Sequence, residues 1–142
     1  MTVAHLRVSE AAALLGVSDD TVRRWADSGR LALTQHDSGP ATIDGAQLAQ
    51  IADELAHDDQ LRSTFPTAQA SARNRTTGIV TRVVRDTVMA QVELRAGPFR
   101  VVSLMSREAA DELGLERGSL AVASVKATNV GIELPTSAGE RR

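Results

Sequence analysis

The sequence predicts an N-terminal all-α winged helix-turn-helix domain and a C-terminal all-β domain, an OB-like barrel with one short helix. Helix-start signals and helical spacing dominate the first sixty residues, whereas strand-like alternation dominates the second half. The two halves also differ in charge. Residues 1–62 carry five Arg against ten Asp and Glu, a net charge of −5, and residues 63–142 carry eleven Lys and Arg against eight acids, a net charge of +3.

These changes of pattern place the domain boundaries. The sequence turns polar after about Ala56 and contains Pro66, which is typical of a linker. The predicted organisation is a head at 1–57, a linker at 58–69, a barrel at 70–136 and a flexible tail at 137–142.

Two short helices open the head. The first is predicted over residues 9–15, with Ser9 as its N-cap and an acid in its first turn. Gly16 suits a helix end, and Ser18 caps a second helix that stops near Ser28 and Gly29. Two helices joined by a short glycine turn form a helix-turn-helix pattern. Its predicted core residues are Ala12, Leu15, Val17, Val22 and Trp25.

A wing and a third helix complete the head. Residues 31–35 and 40–43 flank the turn-forming segment 36–39, which predicts a hairpin. Asp44 then caps a third helix, whose apolar positions at helical spacing are Leu48, Ile51 and Leu55.

The second half is predicted to hold five short strands and one helix. Val88, Ala90, Val92 and Leu94 alternate with polar residues, as expected of a half-buried antiparallel strand. The helix runs from Ser106, its N-cap, to Gly114, and this element set fits a small OB-like barrel. The predicted strands are 79–85, 88–94, 99–105, 120–126 and 130–134.

Composition narrows the class of protein. With no Cys, disulfides, thiolate metal sites and cysteine nucleophiles are excluded, and His5, His36 and His57 lie too far apart to suggest a metal site. No catalytic motif stands out, so we expect a protein that is not an enzyme. No signal peptide or membrane span is evident, which predicts a cytoplasmic protein. One Trp, two Phe and no Tyr leave small aliphatic cores, which favours a homo-oligomer.

The head resembles the excisionase-like branch of the MerR-type winged helix-turn-helix family. The resemblance covers roughly residues 5–55 and rests on the segments 8–12, 15–18, 21–25 and 28–31. It implies that the second helix enters the major groove of double-stranded DNA. The residues it assigns to DNA binding are Ser18, Thr21, Arg23, Arg24 and Arg30.

Two features of the head are compatible with a role other than DNA binding. The segment 36–42 holds no Arg, although wings of this family usually carry several, and the head is net acidic. Because attraction to phosphates drives much of DNA affinity, these features favour weak binding per subunit that depends on dimerisation. A helix-turn-helix used for protein contacts is the alternative.

The second half resembles the Mop, or molbindin-type, domain of the TOBE group of oxyanion-binding barrels. The resemblance covers about residues 70–135. The segments that carry it are 71–74, 78–80, 112–115, 118–119 and 125–132. It implies a molybdate or tungstate ligand in preference to sulfate, held where the 71–74 segment of one chain faces the lysine segment of another.

The chain's single lysine, Lys126, fits this chemistry. A tetrahedral dianion needs converging N–H and O–H donors and one or two positive charges, and lysine supplies a compact ammonium. Ser106, at a predicted helix start, adds free amides. The predicted oxyanion-binding residues are Ser71, Ala72, Arg73, Ser106, Lys126, Ala127 and Thr128.

Together these patterns predict an oxyanion-responsive transcriptional regulator. The first alternative is an intracellular molybdate-storage molbindin whose head no longer binds DNA specifically. A barrel that binds single-stranded nucleic acid is disfavoured, because the aromatic residues needed to stack on bases are nearly absent.

Overall fold

A computed structural model describes residues 3–57, 64–66 and 70–136. The chain divides into two compact units, Met1–Thr64 and Phe65–Arg142. The predicted linker, except for residues 64–66, and the predicted tail lie outside the described residues. No helix in the described part of the chain is long and apolar enough to cross a membrane.

Three helices form most of the first unit: α1 (Val8–Leu15), α2 (Asp19–Asp27) and α3 (Gly45–His57). The prediction that Ser9 caps α1 is wrong. Arg7 is the N-cap, and its N–H donates to Glu10 Oε1 at 3.0 Å, so Ser9 lies inside the first turn.

The predicted cap of α2 is confirmed. Ser18 Oγ accepts the N–H of Thr21 at 3.1 Å, and the preceding helix ends at Gly16 with a left-handed φ of 70°. Asp44 also caps α3 as predicted, because its Oδ1 accepts the N–H of Ala46 at 2.8 Å.

The first unit is not all-α, and that part of the prediction is wrong. Strand β1 (His5–Arg7) pairs antiparallel with β2 (Thr42–Asp44), and each strand immediately precedes a helix. Strands of three residues are too short to show a readable alternation. The predicted wing hairpin is reduced to one bridge between Thr34 and Thr42.

The core of the first unit lies where these helices and strands meet. Of the predicted core residues, Ala12 and Val22 are buried, and Leu15, Val17 and Trp25 pack against the core while partly exposed. The sequence reading missed the buried residues Ala11, Leu31 and Ile43.

The second unit is an antiparallel sheet with the strand order β5-β4-β3-β6. Its strands are β3 (Asn74–Arg85), β4 (Met89–Ala96), β5 (Phe99–Ser106) and β6 (Leu120–Val125), and the single helix is α4 (Arg107–Glu112).

The sheet forms a half-barrel, which corrects the prediction of an OB-like barrel, while the antiparallel strands and the one short helix are confirmed. Neither edge strand, β5 or β6, pairs with the other, and the predicted fifth strand over residues 130–134 is not a strand in this single chain. Alternation shows which side chains can share one face, but a strand also needs a partner for its backbone hydrogen bonds, and residues 130–134 have none within the described part of the chain. The cleft between β5 and β6 has a volume of about 480 Å³.

Strand β3 joins the two parts of the sheet. Its first half pairs with β6, its second half pairs with β4, and the register shifts between Val80 and Arg82. At Gly78 the chains approach so closely that an added Cβ would lie 2.4 Å from the carbonyl oxygen of Arg95. Only glycine fits this approach.

Polar contacts fix the helical end of the half-barrel. Arg85 donates from Nε to Asp111 at 2.9 Å and from Nη2 to the Leu115 carbonyl at 2.7 Å. The N–H groups of Met89 and Val88 donate to Asp86 and hold the pKa of its carboxyl below its usual range.

Candidate functional site

The register of β3 and β6 brings two predicted oxyanion-binding segments to the same end of the sheet. Asn74, the first residue of β3, lies opposite Val125, the last residue of β6. The side-chain amide of Asn74 donates to the Val125 carbonyl at 3.2 Å and ties the two strands together there. Residues 71–73 therefore enter the sheet where residues 126–128 leave it.

The lysine segment ends in a turn that leaves donors free. Lys126 precedes a 3-10 turn over Ala127–Asn129, closed by the N–H of Asn129 on the Lys126 carbonyl at 2.9 Å. Because the first amides of such a turn have no partner within it, the N–H groups of Ala127 and Thr128 can donate to a ligand. All three side chains from 126 to 128 are exposed.

The positive charge at this end is not neutralised. Arg73 and Lys126 are both exposed, and neither forms an ion pair with any described residue. Two uncompensated cations beside free amides and the hydroxyls of Ser71 and Thr128 suit a small dianion.

Ser106 lies at the other end of the half-barrel. Three antiparallel steps separate β5 from β6, so the last residues of these strands point to opposite ends of the sheet. Within one chain, the structure brings together six of the seven predicted oxyanion-binding residues and leaves Ser106 apart.

The surroundings of Ser106 are less suited to an anion. Its Oγ accepts the N–H of Ala109 at 3.1 Å, which confirms the predicted N-cap and leaves only the hydroxyl hydrogen free to donate. The N–H of Arg107 is used by the Val88 carbonyl at 2.8 Å. Three carboxylates line the cleft beside it, those of Glu108, Asp111 and Glu112.

The five predicted DNA-binding residues of the head differ in whether their side chains are free to contact DNA. Ser18 and Thr21 hydrogen-bond each other at 2.9 Å as part of the cap of α2. Arg30 lies 4.9 Å from the Trp25 ring and donates to Glu54 at 3.1 Å, so this guanidinium links α2 to α3.

Arg23 and Arg24 remain exposed on α2, but the same helix carries three acids. Arg23 lies 3.7 Å from Asp20, and Asp19 and Asp27 are on the same helix. Arg24 donates to the Thr21 hydroxyl at 3.1 Å. With three Asp and two Arg, α2 carries a formal charge of −1, which weakens its attraction to phosphates.

Arg7 is a further cation of the head that the sequence does not predict as a binding residue. Arg7 lines an open groove of about 590 Å³ together with Ser9, Arg23, Asp27 and Ala41. No helical or strand pattern singles out Arg7, because it lies at the junction of β1 and α1. The wing contributes no cation to this groove, and His36 instead hydrogen-bonds the Thr42 hydroxyl at 2.9 Å.

Comparison with known proteins identifies both units. Residues 6–44 match a helix-turn-helix domain family, and residues 70–132 match the TOBE domain family. Residues 70–132 therefore form a Mop-like TOBE domain, and residues 6–44 form a helix-turn-helix domain.

Solved structures similar to this chain include two small proteins. A molybdate-binding protein from Sporomusa ovata is 27% identical over 47% of this chain and 100% of its own, with a TM-score of 0.46. MopII from Clostridium pasteurianum is 36% identical over 46% of this chain and 100% of its own, with a TM-score of 0.44. Among curated proteins, none matches the chain.

Proposed function

We propose that this protein is a homo-oligomeric transcriptional regulator that binds molybdate or tungstate in its Mop-like domain and double-stranded DNA through its head. The observation that carries the proposal is the joining, in one chain, of a helix-turn-helix domain and a TOBE domain whose 71–73 and 126–128 segments share one end of the sheet. A ligand sensor and a DNA reader in one chain are the parts that a regulator requires.

The oxyanion site is proposed to use Lys126 and Arg73 as its cations. The amides of Ala127 and Thr128 and the hydroxyl of Ser71 add donors directed at the ligand from other sides. Hydrogen bonds to a dianion are charge-assisted and therefore shorter and roughly twice as strong as neutral ones, and the two cations also offset the negative charge of the ligand.

Assembly of several copies is proposed to complete the site. Val130, Ile132 and Leu134 alternate along the chain and are 44%, 91% and 88% exposed, and the cleft between β5 and β6 is lined mainly by apolar side chains. Apolar exposure on this scale, beside unpaired strand edges, supports contact with a second copy. In such an assembly, Ser106 can reach an oxyanion site only from a neighbouring copy.

The proposed regulatory mechanism is a change in the spacing of the heads. An oxyanion bound between two barrels favours one arrangement of the copies, and paired helix-turn-helix units read half-sites at a fixed separation. The ligand then changes DNA affinity by as much as its affinities for the two arrangements differ.

Calorimetric titration with molybdate, tungstate and sulfate tests the ligand assignment. Replacement of Lys126 by Ala removes a charge-assisted contact, for which about 1.5–3 kcal/mol, or roughly ten- to 150-fold in dissociation constant, is expected. Arg117→Ala is the matched control, because it removes from the same domain a cation whose guanidinium bonds, among the described residues, to the Thr81 carbonyl alone. Equal affinities for Lys126→Ala and the control would contradict the site.

Storage of molybdate is the second candidate function. The acids on α2 and the absence of Arg from residues 32–43 favour it, since both weaken attraction to DNA. A storage protein would fill its oxyanion sites at full stoichiometry yet fail to retain a DNA duplex at low salt.

A further inference from the structure

The second unit carries an arginine cluster on the face of its sheet that points away from the core. Along β4, Glu93 and Arg95 alternate with the buried Val92 and Leu94, so they belong to this outer face. The strand register places Arg95 directly opposite Arg100 of β5.

A third arginine lies on the same face. Arg82 of β3 is directly opposite Glu93. The Glu93 carboxylate accepts a hydrogen bond from Arg100, and chiefly this contact, together with the charges of Arg100 and Arg82, holds the pKa of Glu93 below its usual range. Three guanidinium groups and one carboxylate leave a net charge of +2.

The pairing of Arg95 with Arg100 is unfavourable for the isolated fold. Like charges directly opposite on neighbouring strands destabilise a sheet. Arg95 forms no ion pair within the described part of the chain, and the one carboxylate nearby is already bonded to Arg100. A partner that supplies negative charge would relieve this repulsion.

We propose that the outer-face cluster of Arg82, Arg95 and Arg100 binds the phosphodiester backbone of double-stranded DNA. This inference rests on the proposed function and extends it, because the Mop-like domain would then add phosphate contacts to the few that the acidic head can make. The cluster spans three strands, about 10 Å at the usual inter-strand spacing, which is wider than a single small oxyanion requires. Arginine recognises phosphate groups bidentately.

The charges of the two halves of the chain support phosphate binding by the Mop-like domain. Sequence-independent affinity for DNA comes mainly from phosphates neutralised by Lys and Arg. The first 62 residues carry a net charge of −5, whereas residues 63–142 carry +3. A duplex held by the head alone would meet net repulsion, and contact with the outer-face cluster offsets it.

A second copy of the chain is the competing occupant of this face. Exposed Val102 and Leu104 lie beside the cluster and are 43% and 70% accessible. However, a two-fold contact would place the face against itself. Arginine would then meet arginine, because no free carboxylate is present on the described part of this face.

The test compares the full-length wild type with Arg95→Gln and with Arg117→Gln, a control that loses the same charge elsewhere on the domain. Fluorescence anisotropy is recorded over a salt series with two duplexes, the DNA upstream of the protein's own gene and an unrelated sequence. Loss of one phosphate contact should reduce the slope of log affinity against log salt by about 0.9. We expect this for Arg95→Gln with both duplexes and not for Arg117→Gln.

Two further measurements separate a DNA contact from a structural role. Arg95→Gln should raise the unfolding temperature slightly, since it removes the repulsion from Arg100, while it lowers DNA affinity severalfold. Glu93→Gln removes the carboxylate and should strengthen DNA binding. Lowered stability together with lowered affinity in Arg95→Gln would point to misfolding and overturn the assignment.

The outcomes distinguish this inference from the proposed function. If the wild type binds the unrelated duplex through Arg95 but shows no preference for its own upstream DNA, the outer-face cluster stands and the regulatory function fails. If it prefers its own DNA and Arg95→Gln matches the control, only the outer-face cluster is refuted. A smaller oligomer of Arg95→Gln with unchanged DNA affinity would instead assign the face to a second copy and overturn the inference.

Discussion

Replacement of Ile132 by Asp should dissociate the proposed homo-oligomer. Ile132 is 91% exposed in the single chain, although it occupies an apolar segment in which Val130, Ile132 and Leu134 alternate. If this segment packs against a second copy, its isoleucine side chain becomes buried there. The substitution then removes the burial and forces a carboxylate into the contact.

The size of the expected rise in the dissociation constant follows from the area that Ile132 exposes. Burial of an almost fully exposed isoleucine is worth about 1.5–3 kcal/mol, and a two-fold contact buries two copies, which gives about 3–6 kcal/mol per dimer. At roughly 1.4 kcal/mol for each factor of ten, the dimer dissociation constant should rise about 10²- to 10⁴-fold. The desolvation of two aspartates increases this further.

Sedimentation equilibrium over a range of protein concentrations measures this constant. Leu14→Asp is the matched control, because Leu14 is 68% exposed on α1, in the other unit. Leu14→Asp should leave the dissociation constant of the oligomer unchanged. If the dissociation constant of Ile132→Asp equals that of the wild type, residues 130–134 do not pack against another copy.

Two other changes test the fold that positions the site. Gly78→Ala should lower the free energy of unfolding by about 1–3 kcal/mol in urea denaturation, because its Cβ would lie 2.4 Å from the Arg95 carbonyl oxygen and β3 would have to move; an unchanged midpoint would contradict the close approach. The lowered pKa of Asp86 contributes stability that is present above its unfolded pKa and is lost as the pH falls below about 4. The thermal midpoint of Asp86→Asn should therefore fall less than that of the wild type between about pH 5 and about pH 3, and parallel curves would disprove this role.

Local signals were enough to predict the helix-turn-helix and most strands. Ser18 caps α2 through a contact three residues away, and the alternation of β4 records which face is buried. Such short-range chemistry is readable in sequence. The β1–β2 pair was missed because its three-residue strands bring together segments almost forty residues apart.

The candidate oxyanion site was predicted as a set of residues but not as a geometry. The segments 71–73 and 126–128 meet because Asn74 pairs with Val125, a register that depends on the whole sheet. The N-cap chemistry of Ser106 suits anions and therefore predicts a place in the site, but a capping residue does not reveal which end of the sheet its helix occupies. The outer-face cluster is not predictable from sequence for the same reason, since Arg95 and Arg100 become neighbours only through the pairing of β4 with β5.

The central claim is that oxyanion binding and DNA binding are coupled. The most direct test measures the affinity of the full-length protein for DNA upstream of its own gene, with and without saturating molybdate, and the affinity for molybdate with and without that DNA. We predict that each ligand changes the affinity of the other by the same factor, about fivefold to 150-fold, and that Lys126→Ala abolishes the effect. Identical affinities in the presence and absence of the second ligand would contradict the account.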